Sequence, residues 1–300
     1  MRILVTGTSG QLGWELMRSL QPLGQVIGTT TSQLDLADPD AIRSTLRDIK
    51  PALVVNPAAY TAVDKAESEP ERAMQINGVA PGILAEEAKR LNAPLVHYST
   101  DYVFDGKKAG VYTEIDPPDP ASVYGRTKLA GEAAIRAVGC DHLVFRTSWV
   151  YASRGKNFLK TILRLAQERE FLRIVSDQIG APTSARLIAD ATAQICGQTN
   201  WEQRGVEDFH SGIYNLTSTG ETSWYGFACA IVDEAHVQLP GLPLKTTRID
   251  PISTSEYPLP APRPTNSRLD TSALRKRFGL QLPSWQAGLS LCLAEIAEPR

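Results

Sequence analysis

Along the first half of the chain, short apolar runs rich in β-branched residues alternate with stretches whose apolar positions recur every three or four residues. "RILVTG", "QVIGTT", "ALVVNPA", "PLVHYSTD" and "HLVFRTSW" read as strands, with "QLGWELMRSL", "DAIRSTLRDI", "RAMQINGVAPGILAEEAKRL" and residues 123 to 138 as helices between them. The strand runs are almost continuously apolar, the mark of strands buried on both faces. Strands and helices in strict turn predict an α/β fold, a doubly wound parallel sheet of the Rossmann type.

After Trp149 the alternation loosens. "NFLKTILRLAQE", "SARLIADATAQIC", "GIYNLTS" and "YGFACAIVDEA" are interleaved with polar loops and a proline-rich segment, "YPLPAPRPTNS", at 257 to 267. The expected organisation is a dinucleotide-binding domain over 1–150 and a mainly substrate-binding domain over 151–300, smaller and interleaved, some of whose segments return to the first. The second half would cap the C-terminal edge of the sheet, where open α/β sheets bind their ligands.

Composition narrows the functions available. With 300 residues, 42% hydrophobic and 21% charged, and a formal net charge of −2, the chain is an ordinary globular one, and neither disorder nor a nucleic-acid partner is expected. "MRILVTG" runs straight into a strand with no signal-peptide pattern, and no apolar stretch approaches the roughly 18 residues of a spanning helix. The expectation is a cytoplasmic protein without a membrane partner. Cys140, Cys196, Cys229 and Cys292 stand far apart and fit neither a zinc spacing nor a disulfide framework. His97, His142, His210 and His236 form no metal pattern and read as structural, so no metal site is expected.

The first chemical signal is "TGTSGQLG", residues 6 to 13, between a strand and an amphipathic helix. Gly7, Gly10 and Gly13 allow a tight turn, close backbone approach to a pyrophosphate and close helix packing, while the helix N-terminus favours negative charge. At the end of the second strand, "GTTTSQ" offers Thr29, Thr30, Thr31 and Ser32. There is neither an acid for a ribose 2′-hydroxyl nor an arginine for a 2′-phosphate, so NADPH or NADH is open. Asp35 and Leu36 in "LDLAD" stand where they would close over an adenine; a helix cap, which Asp38 also fits, is an equal reading.

In "VYGRTKLAGE", Tyr124 precedes Lys128 by one helical turn, so the two share a face. A nearby ammonium lowers a phenol's pKa and suits it to proton exchange with an alkoxide. The spacing recurs by chance, but upstream "LVHYSTDYVFDG" ends a strand in Ser99 and Thr100, and a strand-end hydroxyl can hydrogen-bond a substrate carbonyl. Glycine loop, Thr100, Tyr124 and Lys128 together read as a catalytic set. Trp149, at the same sheet edge, reads either as core or as an apolar wall. Arg263, in the proline-stiffened segment, reads either as a solvated charge or as a diphosphate ligand.

These motifs, with "AAYTAVDKAESEPE", "FRTSWVYA", "DQIGAPTSA" and "RPTNSRLD", resemble the extended short-chain dehydrogenase/reductase superfamily nearly end to end. More narrowly, they resemble its reductases of dTDP-activated sugars. The resemblance implies NADPH- or NADH-dependent reduction of the C4 ketone of a dTDP-4-keto-6-deoxyhexose, the closing step of dTDP-L-rhamnose synthesis. It implies that Thr100, Tyr124 and Lys128 are catalytic, that Gly10, Gln11 and Leu12 hold the pyrophosphate, and that Asp35 and Leu36 flank the adenine. Ala59, Tyr60 and Thr61 would line the nicotinamide side, and Asp101, Tyr102 and Trp149 would face the sugar or nucleotide. Thr30 stands where some relatives carry Asp, so no NADH preference follows. Some relatives bridge two subunits with magnesium through acidic residues. Here Arg186 in "SARLIAD" replaces one of them, leaving a homodimer without a bridging metal.

Other readings stay open. A different sugar-nucleotide reductase or an epimerase of the superfamily would share the set. A 4,6-dehydratase would carry Asp-Glu after the threonine, whereas Asp101 is followed by Tyr102. A non-catalytic NADP-binding regulatory subunit, like that of methionine adenosyltransferase, is also similar, though "RTSWVY" favours a working sugar site.

Overall fold

Strand β1 (Arg2–Val5) sends Ile3 and Val5 to one face of the sheet and Leu4 to the other, all three fully buried. The same two-residue period repeats in β3 (Leu53–Asn56), β4 (Leu95–Thr100) and β5 (His142–Thr147). Leu53, Val55, Val96, Tyr98, Leu143 and Phe145 join one core, and Val54, Leu95 and Val144 the other. A sheet that buries both faces needs helices on both, and the chain supplies them.

The computed structural model describes residues 1–198 and 209–297. After β1 come α1 (Gln11–Ser19), β2 (Gln25–Gly28), α2 (Pro39–Ile49), β3, α3 (Val63–Ala66), α4 (Pro70–Met74), α5 (Ala80–Arg90), β4, α6 (Val123–Val138) and β5. Beyond them lie β6 (Val150–Tyr151), α7 (Phe158–Glu168), β7 (Phe171–Val175), β8 (Ile179–Gly180), β9 (Thr183–Ser184) and α8 (Ala185–Gly197). The last elements are β10 (Gly212–Asn215), β11 (Thr222–Ser223), α9 (Trp224–Gln238), β12 (Arg248–Ile252), α10 (Ser272–Phe278) and α11 (Trp285–Ala297). The central sheet is parallel with strand order β10-β5-β4-β3-β1-β2. Its order reverses between β1 and β3, which opens a crevice beyond their C-terminal ends.

Leu16 of α1, Ile188 and Ile195 of α8 and Leu274 of α10 cover one face; Ile42 and Leu46 of α2, Leu84 of α5 and Ile135 of α6 cover the other. A third apolar cluster joins Leu159 and Ile162 of α7, Phe227 and Ile231 of α9, and Leu289 of α11 above the sheet's C-terminal edge. Strand β10, from the second half, closes the sheet by pairing in parallel with β5. Two features differ from the sequence reading. The single helix expected over 72–91 is interrupted by a π turn at Gln75–Val79, and several elements, α3, β7, β12, α10 and α11 among them, lie outside the runs that predict strands or helices. No helix among the described residues is long and apolar enough to cross a membrane.

Candidate active site

The loop from β1 into α1 is tighter than side chains permit. Gly7 has a φ of +59°, and a Cβ on Gly13 would stand 2.3 Å from the Gly7 carbonyl oxygen. Gly10 caps α1, whose first turn carries no acidic residue, so its free N–H groups have no neighbouring carboxylate to repel an anion. Thr8, Ser9, Gly10, Gln11, Trp14 and Thr30 line a cleft of about 780 Å³, and Arg154 closes over it with its guanidinium 3.5 Å from the Trp14 ring centroid. Tight loop, acid-free helix end and long cleft fit a dinucleotide. Gln11 also ties the halves together, its Oε1 accepting from Asn157 Nδ2 at 2.7 Å. Leu12 packs its side chain against the core and leaves its backbone N–H in the first turn of α1.

Around the crevice the remaining expected residues are spread widely. The Thr30 hydroxyl donates to Gln33 Oε1 at 3.1 Å. The cap of α2 is Asp38, which accepts from the N–H groups of Asp40 and Ala41. Asp35 is thereby spared for other contacts. It accepts from the Ala37 N–H at 2.9 Å and pairs with Arg72 at 3.0 Å, and both hold its carboxyl below the usual range. Leu36 is buried. Beyond β3, Ala59 and Thr61 flank Tyr60, whose N–H donates to Asn77 Oδ1 (2.8 Å) and whose carbonyl accepts from Asn77 Nδ2 (3.0 Å). Asn77 sits in the π turn, which explains why the helix departs from regular winding there.

At the end of β4, Thr100 and Tyr124 come together. Helix α6 starts at Ser122, whose hydroxyl accepts the Gly125 N–H, while the Val123 N–H donates to Glu67. Gly125 brings this helix against the 101–103 turn: a Cβ there would lie 2.2 Å from the Tyr102 carbonyl oxygen. Tyr124 is thereby set beside Thr100, whose hydroxyl donates to Asp101 Oδ1 at 3.0 Å and accepts the Tyr102 N–H at 3.2 Å. Tyr124 keeps a partly accessible ring, yet burial around its hydroxyl pushes its pKa up to about 12, with the Thr100 hydrogen bond working against the rise and the Asp101 charge adding to it.

Lys128 departs from the expected arrangement. It is 1% exposed, and its Nζ donates to the Tyr98 carbonyl (2.6 Å) and meets His97 Nε2 (3.1 Å). Tyr124 therefore shows no depression from the ammonium; its pKa is raised. Burial lowers Lys128 itself to about 8, partly offset by the charge of Glu132 one turn further on. Glu132 in turn takes a bidentate pair of hydrogen bonds from Arg146 at 2.9 and 2.7 Å and one from Ser99 at 2.5 Å, all in the interior. His97, read from sequence as a lone structural histidine, is thus a partner of Lys128. The signal available was its place three residues before Thr100 on the same strand.

Of the sugar-facing candidates, Asp101 and Tyr102 adjoin Thr100 and Tyr124. Asp101 is buried, with Oδ2 lacking a hydrogen-bond partner, and burial raises its pKa to about 6. Tyr102 packs edge-on to Tyr124 at 5.5 Å between ring centroids. Trp149 adopts φ +50° and stacks on Trp224 at 3.6 Å, so one face of the expected wall is covered by an indole that sequence reasoning missed. Arg263 pairs with Asp64 at 2.7 Å and lies 6.0 Å from the Tyr102 ring centroid. Arg186 pairs with Glu295 and lies 3.5 Å from Glu15. Among the described residues, no cluster of three or more His, Cys, Asp or Glu side chains is placed to hold a metal.

Comparison with known proteins gives concordant results. Residues 1–298 match the family model described as the RmlD substrate binding domain. A dTDP-4-dehydrorhamnose reductase of Burkholderia thailandensis is 52% identical over 99% of both chains, and one of Escherichia coli K12 is 45% identical over 99% of this chain and 98% of its own. The crystal structure of a dTDP-4-dehydrorhamnose reductase from Bacillus anthracis in complex with NADP superposes with a TM-score of 0.88 at 33% identity, covering 98% of this chain and 99% of that one.

Proposed function

The chain belongs to the dTDP-4-dehydrorhamnose reductase family, and on that premise we propose that Thr100, Tyr124 and Lys128 carry out its chemistry. The reaction is reduction of the C4 ketone of dTDP-4-dehydro-L-rhamnose to dTDP-L-rhamnose by NADPH or NADH, the last step of dTDP-rhamnose synthesis. The observation that carries the residue assignment is the placement of Tyr124 beside Thr100 at the C-terminal end of β4, with Lys128 buried one turn further along α6.

Gly7, Gly10, Gln11, Leu12 and Gly13 would hold the diphosphate of the cofactor, Thr30, Asp35 and Leu36 its adenosine end, and Ala59, Tyr60 and Thr61 the nicotinamide side. The reduced nicotinamide, when bound, supplies a hydride. Tyr124 gives its proton to the C4 oxygen as charge develops there, and its raised pKa keeps the proton in place until then. The Thr100 hydroxyl provides a second hydrogen bond to the same oxygen. Lys128 orients the ribose. Asp101, Tyr102, Trp149 and Arg263 contact the sugar nucleotide, with Arg263 at the diphosphate.

The same reading divides the chain near residue 150 into a cofactor-binding and a mainly substrate-binding part, and places the protein in the cytoplasm. It also includes a homodimer without a bridging metal; the guanidinium of Arg186 between Glu15 and Glu295 supports the metal-free part. The test is NADPH oxidation on adding dTDP-4-dehydro-L-rhamnose, with the product identified by NMR. Oxidation with formation of dTDP-L-rhamnose is expected. No turnover by folded protein that binds NADPH would overturn the reading in favour of a binding subunit.

A further inference from the structure

Behind Lys128 runs a buried chain of hydrogen bonds that the reaction as described does not use. Lys128 Nζ meets His97 Nε2 at 3.1 Å, His97 Nδ1 meets Asn56 Nδ2 at 3.1 Å, and Asn56 Oδ1 accepts from the Thr6 hydroxyl at 2.6 Å. All four residues are at most 1% exposed, so water cannot repair a mismatch anywhere along it. The chain crosses β4, β3 and the end of β1 and stops at the residue before Gly7.

Donor counting restricts what this chain can be. A neutral imidazole offers one donor and one acceptor, and an ammonium offers donors only. With Asn56 as placed, Thr6 donates to the amide oxygen and the amide nitrogen donates to His97 Nδ1. The imidazole proton then sits on Nε2, facing Lys128, which can accept it only as an uncharged amine. A charged Lys128 needs the opposite polarity: Nε2 accepts, Nδ1–H donates to the Asn56 oxygen, and the amide nitrogen turns to the Thr6 oxygen. Each polarity fits one charge state of the lysine, and in the second the Thr6 hydroxyl proton turns away from Asn56 while its oxygen accepts the amide.

We propose that His97 is a positioning residue for Lys128, holding its Nζ in place in either protonation state while the imidazole tautomer and the Asn56 amide reverse together. This rests on the assignment of Lys128 to the reaction. Burial, reinforced by the charge of Lys128, keeps His97 well below the ordinary histidine range, so the ring stays neutral and available for both roles. Lys128 at about 8 places its charge change near neutrality. The other charged groups facing Lys128 are Glu132 on its own helix and, from β5, Arg146, which pairs with Glu132. From β4, His97 is the titratable group in direct contact with Lys128. The ammonium is the form that serves the cofactor ribose, and its acceptor on His97 extends that form to higher pH.

The test has two arms. In wild-type protein labelled with [15N]histidine, the His97 ring should change from the Nδ1–H to the Nε2–H tautomer as pH rises from 6 to 10. Its midpoint should coincide with the alkaline loss of NADPH affinity. In Lys128→Met the change should vanish. One tautomer throughout in the wild type would overturn the proposal without any variant having to fold. In the second arm, His97→Leu should move the alkaline limb of NADPH affinity down by about one pH unit, because the ammonium loses an acceptor, whereas His97→Gln, which keeps one, should leave it within about half a unit. An unmoved limb in folded His97→Leu would also overturn it. If Lys128→Met instead keeps full turnover while the wild-type tautomer change is observed, the assignment of Lys128 fails and the chain remains.

Discussion

Thr100 gives its hydroxyl proton to Asp101 across 3.0 Å, while the same oxygen accepts the Tyr102 N–H at 3.2 Å. A hydroxyl has one proton, so Thr100 can bond a substrate oxygen only when Asp101 releases it. Protonation of Asp101 does this, since a carboxylic acid can donate to Thr100 instead. Asp101, held near pH 6 by burial, is thus a titrating neighbour of the candidate catalytic pair.

The first prediction concerns stability. The folded pKa of Asp101 lies above the unfolded value near 3.9, so between the two the native state keeps a proton that the unfolded chain has lost. Its contribution is present below about pH 4 and is lost as pH rises through 6, amounting to about 3 kcal/mol. Urea midpoints should therefore show a decline over that window that Asp101→Asn flattens. An identical slope in the variant would show that Asp101 titrates normally.

Tyr124→Phe removes the proposed proton donor while leaving the ring in its place beside Tyr102. Turnover should fall by about 10²- to 10⁴-fold, with NADPH affinity within about twofold of wild type. Steady-state kinetics alongside cofactor titration would check it, and near-normal turnover would reject the tyrosine as the acid.

Cofactor choice should be weak. Thr30 and its neighbours Ser32 and Gln33 present no charge to the ribose, so kcat/KM for NADPH and NADH should differ by less than about 100-fold, or under roughly 3 kcal/mol. If competition kinetics give a larger ratio, a charged group elsewhere, with Arg154 over the cleft as the first candidate, reaches the 2′ position.

Glu132→Gln should be costly, because it leaves the Arg146 guanidinium buried without a counter-charge. A loss of about 3–5 kcal/mol in unfolding free energy is expected, much of it recovered by adding Arg146→Met. Chemical denaturation of the single and double variants measures both, and an additive double would mean that the pair is not coupled.

Much of this was legible because it is local. The glycine loop, the all-apolar strands and the position of Tyr124 and Lys128 on one helix depend on neighbours within a few residues, and so does the parallel sheet that follows from strand–helix alternation. The unread parts join distant residues. Lys128 finds His97 on another strand, Trp149 finds Trp224, and Arg263 finds Asp64 nearly two hundred positions away. Helical spacing placed Lys128 beside Tyr124, and burial then directed its ammonium elsewhere. The π turn escaped for a similar reason: Asn77 leaves regular winding to serve the backbone of Tyr60, a demand that no helix propensity records.

The return of β10 to the sheet bears on how the protein is made. Until Gly212–Asn215 pairs with β5, the row of N–H and C=O groups along His142–Thr147 has no partner on its outer side, and an apolar unpaired edge is a template for association with other chains. Roughly 70 residues must be added between those two strands, several seconds of synthesis at about 5–20 residues per second. A ribosome stalled in that interval would hold an otherwise formed sheet with its most aggregation-prone border open, so premature termination there should yield insoluble chains, and chaperone engagement should peak before residue 215 emerges.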